Sequence, residues 1–224
     1  MGACFGKPSE AGTSARDASS TRRRGSRGDG GGGGGGGGGG RTNAHRPGQR
    51  IELLLLGLDG AGATTILYRL KLQKFIITVP TLGSVEETIR WGSEEILFHD
   101  LGGTDKLRPL WPMYQDGIQG VIYVVDAADR RLVDANRREL RRFYRAAVKL
   151  HDAPLLIFAT KQDLSDAMTS EELQRELGLE EIPCRCYHVA GCSAVTGEGI
   201  HEGIDWIVGE IRRGGSRAAS TLRK

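Results

Sequence analysis

Four short stretches carry the residue types and spacings that handle phosphate, a divalent cation and a purine base. The first is Gly57-Leu58-Asp59-Gly60-Ala61-Gly62-Ala63-Thr64-Thr65, which follows an apolar run at 51–56 and precedes a helical pattern. This is the strand–GxxxxGK[ST]–helix layout with Ala63 in the lysine's place. Glycines let backbone N–H groups curl around phosphate oxygens, and the start of the helix adds its positive dipole end. Thr64 stands where a hydroxyl would ligate Mg²⁺. The second stretch, Asp100-Leu101-Gly102-Gly103, follows another apolar run. It offers an aspartate to hold the cation through water and a glycine N–H to sense a terminal phosphate. Thr160-Lys161-Gln162-Asp163 ends the run at 155–159, where a carboxylate accepts from the N1–H and exocyclic amine of guanine, a donor pair that adenine lacks. Cys192-Ser193-Ala194 ends the next strand, where a backbone N–H can reach the guanine carbonyl. The broken phosphate loop alone is weak evidence, since a Gly-rich strand–helix turn is a fair alternative. Four such motifs in order, each at a strand end, point to guanine-nucleotide binding.

The elements that must hold these motifs alternate. Apolar runs at 51–56, 121–125 and 155–159 predict buried parallel strands, 96–98 adds another, and 86–91 alternates like a half-exposed edge strand. Helical patterns lie between them at 64–72, 132–150, 170–177 and 200–211, and Gly214-Gly215 predicts the end of the last helix. The expected fold is α/β: a doubly wound, mostly parallel six-stranded sheet flanked by helices, its site at the carboxyl ends of the strands.

Composition divides the 224 residues unevenly. Residues 1–50 hold nine Lys/Arg against three Asp/Glu, and the remainder holds 22 against 25. Residues 1–49 read as a basic Gly-rich leader, with unbroken glycine from Gly30 to Gly40 that cannot bury enough surface to order itself. Residues 50–213 suffice for one core, and 214–224 read as a polar, flexible tail. No apolar run reaches the roughly 18–20 residues of a membrane span, and the four cysteines form no disulfide framework, which suits a reducing cytosol. The Arg/Gly leader is weak grounds for nucleic-acid binding, which is not expected. Cys184, Cys186 and His188 alternate along one strand face, but without a fourth ligand they read as core cysteines rather than a zinc site. Arg137, Arg138, Arg141, Arg142, Arg145 and Lys149 form a basic stripe that reads as a solvated helix face. Trp91 suits a partner contact or strand packing equally.

From about Ile51 to Arg213 the chain resembles the ADP-ribosylation-factor-like family of small GTPases. The resemblance rests on Gly57 to Gly62, Pro80-Thr81-Leu82-Gly83, Asp105-Lys106-Leu107-Arg108-Pro109-Leu110-Trp111 and Val124-Val125-Asp126-Ala127-Ala128-Asp129-Arg130. It continues in Lys161-Gln162-Asp163-Leu164 and in Thr196-Gly197-Glu198-Gly199 with Gly203 and Trp206. The resemblance implies GTP or GDP with Mg²⁺ as cofactors and Thr81 as the switch threonine. It makes Thr64, Thr81 and (through water) Asp100 the metal site. The implied nucleotide contacts are Gly57, Asp59, Gly60, Ala61, Gly62, Ala63, Thr64, Thr65, Thr81, Gly103, Thr160, Lys161, Asp163, Ser193 and Ala194. It further implies a role in membrane trafficking or organelle and ciliary signalling. Asp100 to Trp111 would be the second switch, effectors would meet the segments from Thr78 to Trp91 and from Leu101 to Tyr114, and an exchange factor and a GTPase-activating protein could act on the protein. The resemblance makes Gly2 an N-myristoylation site; Cys4 could take a palmitoyl group or stay an unmodified thiol in an ordinary leader, and the protein is expected in the cytoplasm or on the cytosolic face of a membrane. Arg16, Arg22, Arg23, Arg24 and Arg27 would add contacts to anionic lipid.

Three departures from the family matter. Ala63 replaces the phosphate-binding lysine. Thr104 replaces the glutamine that orients the attacking water, a role described for Ras itself. Ser84 and His99 replace two aromatic residues of the recognition patch, leaving Tyr114. Gly103 and Thr104 therefore occupy catalytic positions, with hydrolysis expected to be slow or absent. Thr160, where asparagine is usual, is a milder change. Two readings follow: a guanine-nucleotide switch with poor hydrolysis, or a pseudo-GTPase scaffold that binds partners without regard to nucleotide.

Overall fold

Six apolar or alternating runs become one sheet in the order β2-β3-β1-β4-β5-β6. The computed structural model describes residues 50–221, with side chains through 214. The leader, Gly2, Cys4 and the basic residues near them lie outside the described residues. The strands are β1 (Ile51–Gly57), β2 (Ser84–Trp91), β3 (Glu94–Leu101), β4 (Gly120–Asp126), β5 (Pro154–Thr160) and β6 (Cys186–Gly191). β2 and β3 form an antiparallel hairpin, and every other pairing is parallel. The helices are α1 (Ala63–Leu72), α2 (Val133–Ala146), α3 (Ser170–Leu177) and α4 (Ile200–Thr221).

β1, β4 and β5 are covered on both faces, which is why they read as unbroken apolar runs. The two-residue period of β1 sends Leu54 and Leu56 to one face, beside Trp111, Tyr123, Leu140 and Phe143. Leu53 and Leu55 go to the other, against Leu67 of α1 and Ile204 and Ile207 of α4. Two apolar layers thus grip the central strands, and the loops at their carboxyl ends inherit that rigidity.

Several sequence expectations need correction. The helix predicted over 132–150 is three pieces, with 3₁₀ turns at Arg130–Leu132 and Val148–Leu150 flanking α2. Buried Ala147, at φ −90° and ψ 58°, breaks the helix so that the chain can turn into β5. α4 continues past Gly214-Gly215 to Thr221. No described glycine there takes the positive φ of a helix-ending cap. Gly214 has a different task, because a Cβ on it would overlap the Arg185 guanidinium, which donates to the Glu210 carbonyl at 2.7 Å. Cys184 and Cys186 are half-buried rather than core residues, since β6 is a sheet edge. Burial pushes the Cys184 thiol up to about 11. Exposed His188 stacks on Trp206 at 5.2 Å, and no group of His, Cys, Asp or Glu among the described residues is placed to hold a metal.

The basic stripe of α2 is largely ion-paired: Arg137 with Asp134, Arg141 with Glu181, Arg142 with Glu139, and the nearby Lys149 with Asp116. Trp91 packs on α4, donating its indole N–H to Asp205 at 2.7 Å with its ring 4.8 Å from that of His201. The core also holds one mismatch. Tyr144 is fully buried and its hydroxyl has no partner among the described residues, so Tyr144→Phe is expected to stabilise the fold by about 1 kcal/mol, read as a raised denaturant midpoint.

Candidate nucleotide-binding site

At the carboxyl ends of β1, β3 and β5 lies a cavity of about 560 Å³. Its floor is the loop from Gly57 to Gly62 and the first turn of α1. Gly60 and Gly62 take φ of 79° and 95°, a region that side chains with a Cβ rarely adopt, and this turns the loop back on itself. Gly62 caps α1 without a side-chain bond, so the first N–H groups of the helix lack intrahelical partners and favour an anion. Ala63 is the first residue of α1. It lines the cavity, and its methyl packs on the apolar layer beneath.

Three oxygens from distant parts of the chain meet at one end. Thr64 Oγ1 lies 2.8 Å from Thr81 Oγ1 and donates to Asp100 Oδ2 at 2.7 Å; Thr81 Oγ1 donates to the same oxygen at 3.1 Å. Asp100 is buried, and its other oxygen has no partner among the described residues. Burial pushes the Asp100 carboxyl up, and the two threonine hydroxyls draw it back. A desolvated carboxylate with a spare acceptor favours a nearby cation. Thr65 meets Thr78 at 2.9 Å, and Gly102 N–H donates to the Gly83 carbonyl at 2.9 Å, so the segment carrying Thr81 is tied down on both sides.

Gly102 and Gly103 are glycines because there is no room for more. A Cβ on Gly102 would overlap the Thr81 carbonyl, and one on Gly103 would overlap the Gly57 carbonyl and the Asp59 nitrogen. The two switch segments and the phosphate loop therefore touch through bare backbone. Beyond Gly103, the Thr104 carbonyl accepts from the N–H groups of Leu107 and Arg108. Arg108 and Trp111 donate to the carbonyls of Gly103 and Gly102 at 2.7 and 3.1 Å. Thr104 itself is not among the cavity-lining residues.

The opposite end is built from β5 and the loop after β6. Ser193 Oγ donates to Asp163 Oδ1 at 2.5 Å and accepts from the N–H groups of Val195 and Thr196 at 3.2 Å. The Asp163 carboxylate is thereby aimed into the cavity by a buried serine that does not line it. Lys161 sits at φ 64°, unusual for a residue with a side chain, and its ammonium pairs with Asp126 at 2.5 Å. Buried Thr160 places its hydroxyl 2.8 Å from the Ala61 carbonyl and 3.0 Å from that of Val125. It ties the glycine-rich loop after β1 to β4 and β5.

All the sequence-predicted contacts surround this one cavity except Ser193, which works through Asp163. Sequence reasoning missed the apolar wall of Phe75, Ile76, Ile77 and Val79, together with Leu164 and Val195. The uncharged run from Phe75 to Val85 was the available signal. Ile77, Val79 and Leu82 are 80–92% exposed, an unusual cost for large apolar side chains. In the expected recognition patch, Tyr114 lies 3.4 Å from Ser84, and His99 sits between Glu52 and Glu86.

A glycine-rich loop that joins β1 to α1 on this six-stranded, mostly parallel sheet with flanking helices defines a P-loop small-GTPase fold. Residues 42–211 match the ADP-ribosylation factor family, and the chain belongs to that family, whose fold implies guanine-nucleotide binding. It is similar to the Arl6 (BBS3) small GTPase from Trypanosoma brucei, solved with the bound nucleotide analogue GppNp. The identity is 29% over 74% of this chain and 99% of that one, with a TM-score of 0.66.

Proposed function

We propose that this protein is a guanine-nucleotide switch that holds GTP or GDP with Mg²⁺ loosely and hydrolyses GTP slowly or not at all. The observation that carries it is the pairing of two ends in one cavity: the Thr64–Thr81–Asp100 oxygen triangle and the Ser193-backed Asp163. Mg²⁺ takes oxygen ligands at about 2.0–2.1 Å in near-ideal octahedra, so adjacent ligands lie about 2.9 Å apart. The 2.8 Å separation of the two threonine oxygens fits that edge, and the unpartnered Asp100 oxygen supplies the charge. When bound, the ion would neutralise developing charge on the phosphates. The residues of the chain then divide the remaining work. Backbone N–H groups from Gly60 to Thr65 cradle phosphate, Gly103 N–H and Thr81 respond to the terminal phosphate, and Asp163 selects guanine. The analogue bound by the Arl6 relative supports this assignment.

Slow hydrolysis follows from Ala63 and Thr104. A methyl in place of an ammonium removes one charge-assisted hydrogen bond, and a threonine outside the cavity lining cannot orient water within it. Those two residues also favour the second reading, a scaffold indifferent to nucleotide. The exposed apolar residues of the first switch, with Leu110 and Met113 of the second, support effector docking there. By family, we further assign the protein to trafficking or organelle signalling on the cytosolic face of a membrane, anchored through Gly2 and Cys4.

The test is titration of the full chain with fluorescent GDP and GTP, with Mg²⁺ and then with EDTA. Low-micromolar binding that weakens on chelation supports the switch; no binding at millimolar nucleotide would overturn it. Single-turnover assays on saturated protein should show little hydrolysis. Thr104→Gln combined with Ala63→Lys is expected to speed turnover about a hundredfold, the lower end of the contribution of a positioned acid–base group.

A further inference from the structure

Two side chains of the second switch hold the backbone around Gly103 without lining the cavity. The indole N–H of Trp111 donates to the Gly102 carbonyl at 3.1 Å, and Arg108 Nε–H donates to the Gly103 carbonyl at 2.7 Å. Gly102 and Gly103 line the cavity, whereas Trp111 and Arg108 do not. A peptide unit is planar and trans, so its C=O and its N–H point in opposite directions. The unit that carries the Gly102 carbonyl also carries the Gly103 N–H, and the unit of the Gly103 carbonyl carries the Thr104 N–H. Pinning the first carbonyl to the indole therefore turns the Gly103 N–H away from Trp111. That N–H donates to no group among the described residues, although the Gly102 N–H beside it is taken by the Gly83 carbonyl. Both pins are themselves fixed. Trp111 is buried edge-on to Tyr123 and Phe143, with ring centroids 6.2 and 6.4 Å away. An indole N–H sealed in such a layer needs an acceptor, and the Gly102 carbonyl is the one it has. Arg108 is mostly covered and pairs with Asp105 at 2.7 Å.

We infer that Trp111 and Arg108 are positioning residues for recognition of a terminal phosphate, a role that rests on the reading of the cavity as a guanine-nucleotide site. Two consecutive glycines left to themselves would sample many orientations. Trp111 and Arg108 fix the peptide planes on either side of the Gly103 Cα, so an unpaired N–H is aimed before any ligand arrives. Little of its hydrogen bond to a phosphate oxygen is then spent on ordering the chain. The preference for a triphosphate over a diphosphate thus depends on two side chains that line no part of the cavity.

Titration of the full chain with fluorescent GDP and with a fluorescent non-hydrolysable GTP analogue, both with Mg²⁺, tests this on wild type, Trp111→Phe and Arg108→Met. Each variant removes one donor and keeps most of the side chain's bulk. Affinity for the triphosphate analogue should fall about tenfold, the low end of what a hydrogen bond to a charged group contributes. Affinity for GDP should move less than about twofold, because GDP has no terminal phosphate for Gly103 to reach. A merely structural role would weaken both nucleotides equally. An unchanged ratio of the two affinities in the folded variants therefore overturns the positioning role and leaves the switch reading intact. Melting temperatures verify folding, and Arg108→Met decides alone if Trp111→Phe fails to fold. Wild type that binds neither nucleotide at millimolar concentration overturns the switch reading and this role with it.

Discussion

Ala63→Lys is expected to tighten GTP binding about ten- to a hundredfold. A hydrogen bond to a charged group contributes roughly 1.5–3 kcal/mol net, and each 1.4 kcal/mol is about tenfold in affinity. Position 63 opens α1 on the cavity wall. A lysine there would extend over the phosphate end, where the Thr64–Thr81–Asp100 oxygens would hold the ion. The gain should be larger for GTP than for GDP, because the ammonium reaches the β- and γ-phosphates. Paired titrations of wild type and variant with both fluorescent nucleotides measure this. Equal affinities in all four would mean that the phosphates do not lie against the start of α1. The same change tests the scaffold reading, since a protein indifferent to nucleotide gains nothing from the lysine.

Asp163→Ala should cost more, on the order of a hundred- to ten-thousandfold for guanine nucleotides. Two charge-assisted hydrogen bonds would be lost together, and the N1–H and amine of the base would be left facing a wall without acceptors. Ser193 holds the carboxylate at 2.5 Å, and that serine is fixed by the N–H groups of Val195 and Thr196. The aspartate is therefore preorganised, and little of its contribution is spent on ordering. Asp163→Asn separates loss of binding from change of preference: its amide donates to the C2 oxygen of xanthine, so xanthosine nucleotides should gain where guanosine nucleotides lose. Competition among GDP, XDP and ADP for the fluorescent probe reads both effects. Unchanged selectivity would place the base elsewhere.

Much of this architecture is legible along the chain because its signals are local. β1, β4 and β5 are buried on both faces, so each needs only a continuous apolar run, and such runs are visible without knowing their partners. The turn after β1 needs positive φ at Gly60 and Gly62, so glycine recurs there. The edge position of β2 shows in its alternation. Other features depend on residues far away in the chain. The sequence suggests that β6 is buried, but whether a strand is central or an edge depends on which strands lie beside it. Gly214 looks like a helix stop and is instead clearance for Arg185. Trp91 suits a partner contact or strand packing equally when read from the sequence, and the fold bonds it to Asp205, 114 residues away.

The residue types of the proposed site were therefore set by the sequence alone: the glycines from Gly57 to Gly62, the Asp163 carboxylate, and the departures at Ala63 and Thr104. Tertiary structure alone decided how these act together. It brought Thr64, Thr81 and Asp100 within 3.1 Å of one another. It also put Ser193 behind Asp163 and pressed Gly103 against the Gly57 carbonyl. A motif needs only neighbours in sequence, whereas a cation site and an aimed carboxylate need oxygens from separate strands held at fixed distance, and only the packed sheet provides that.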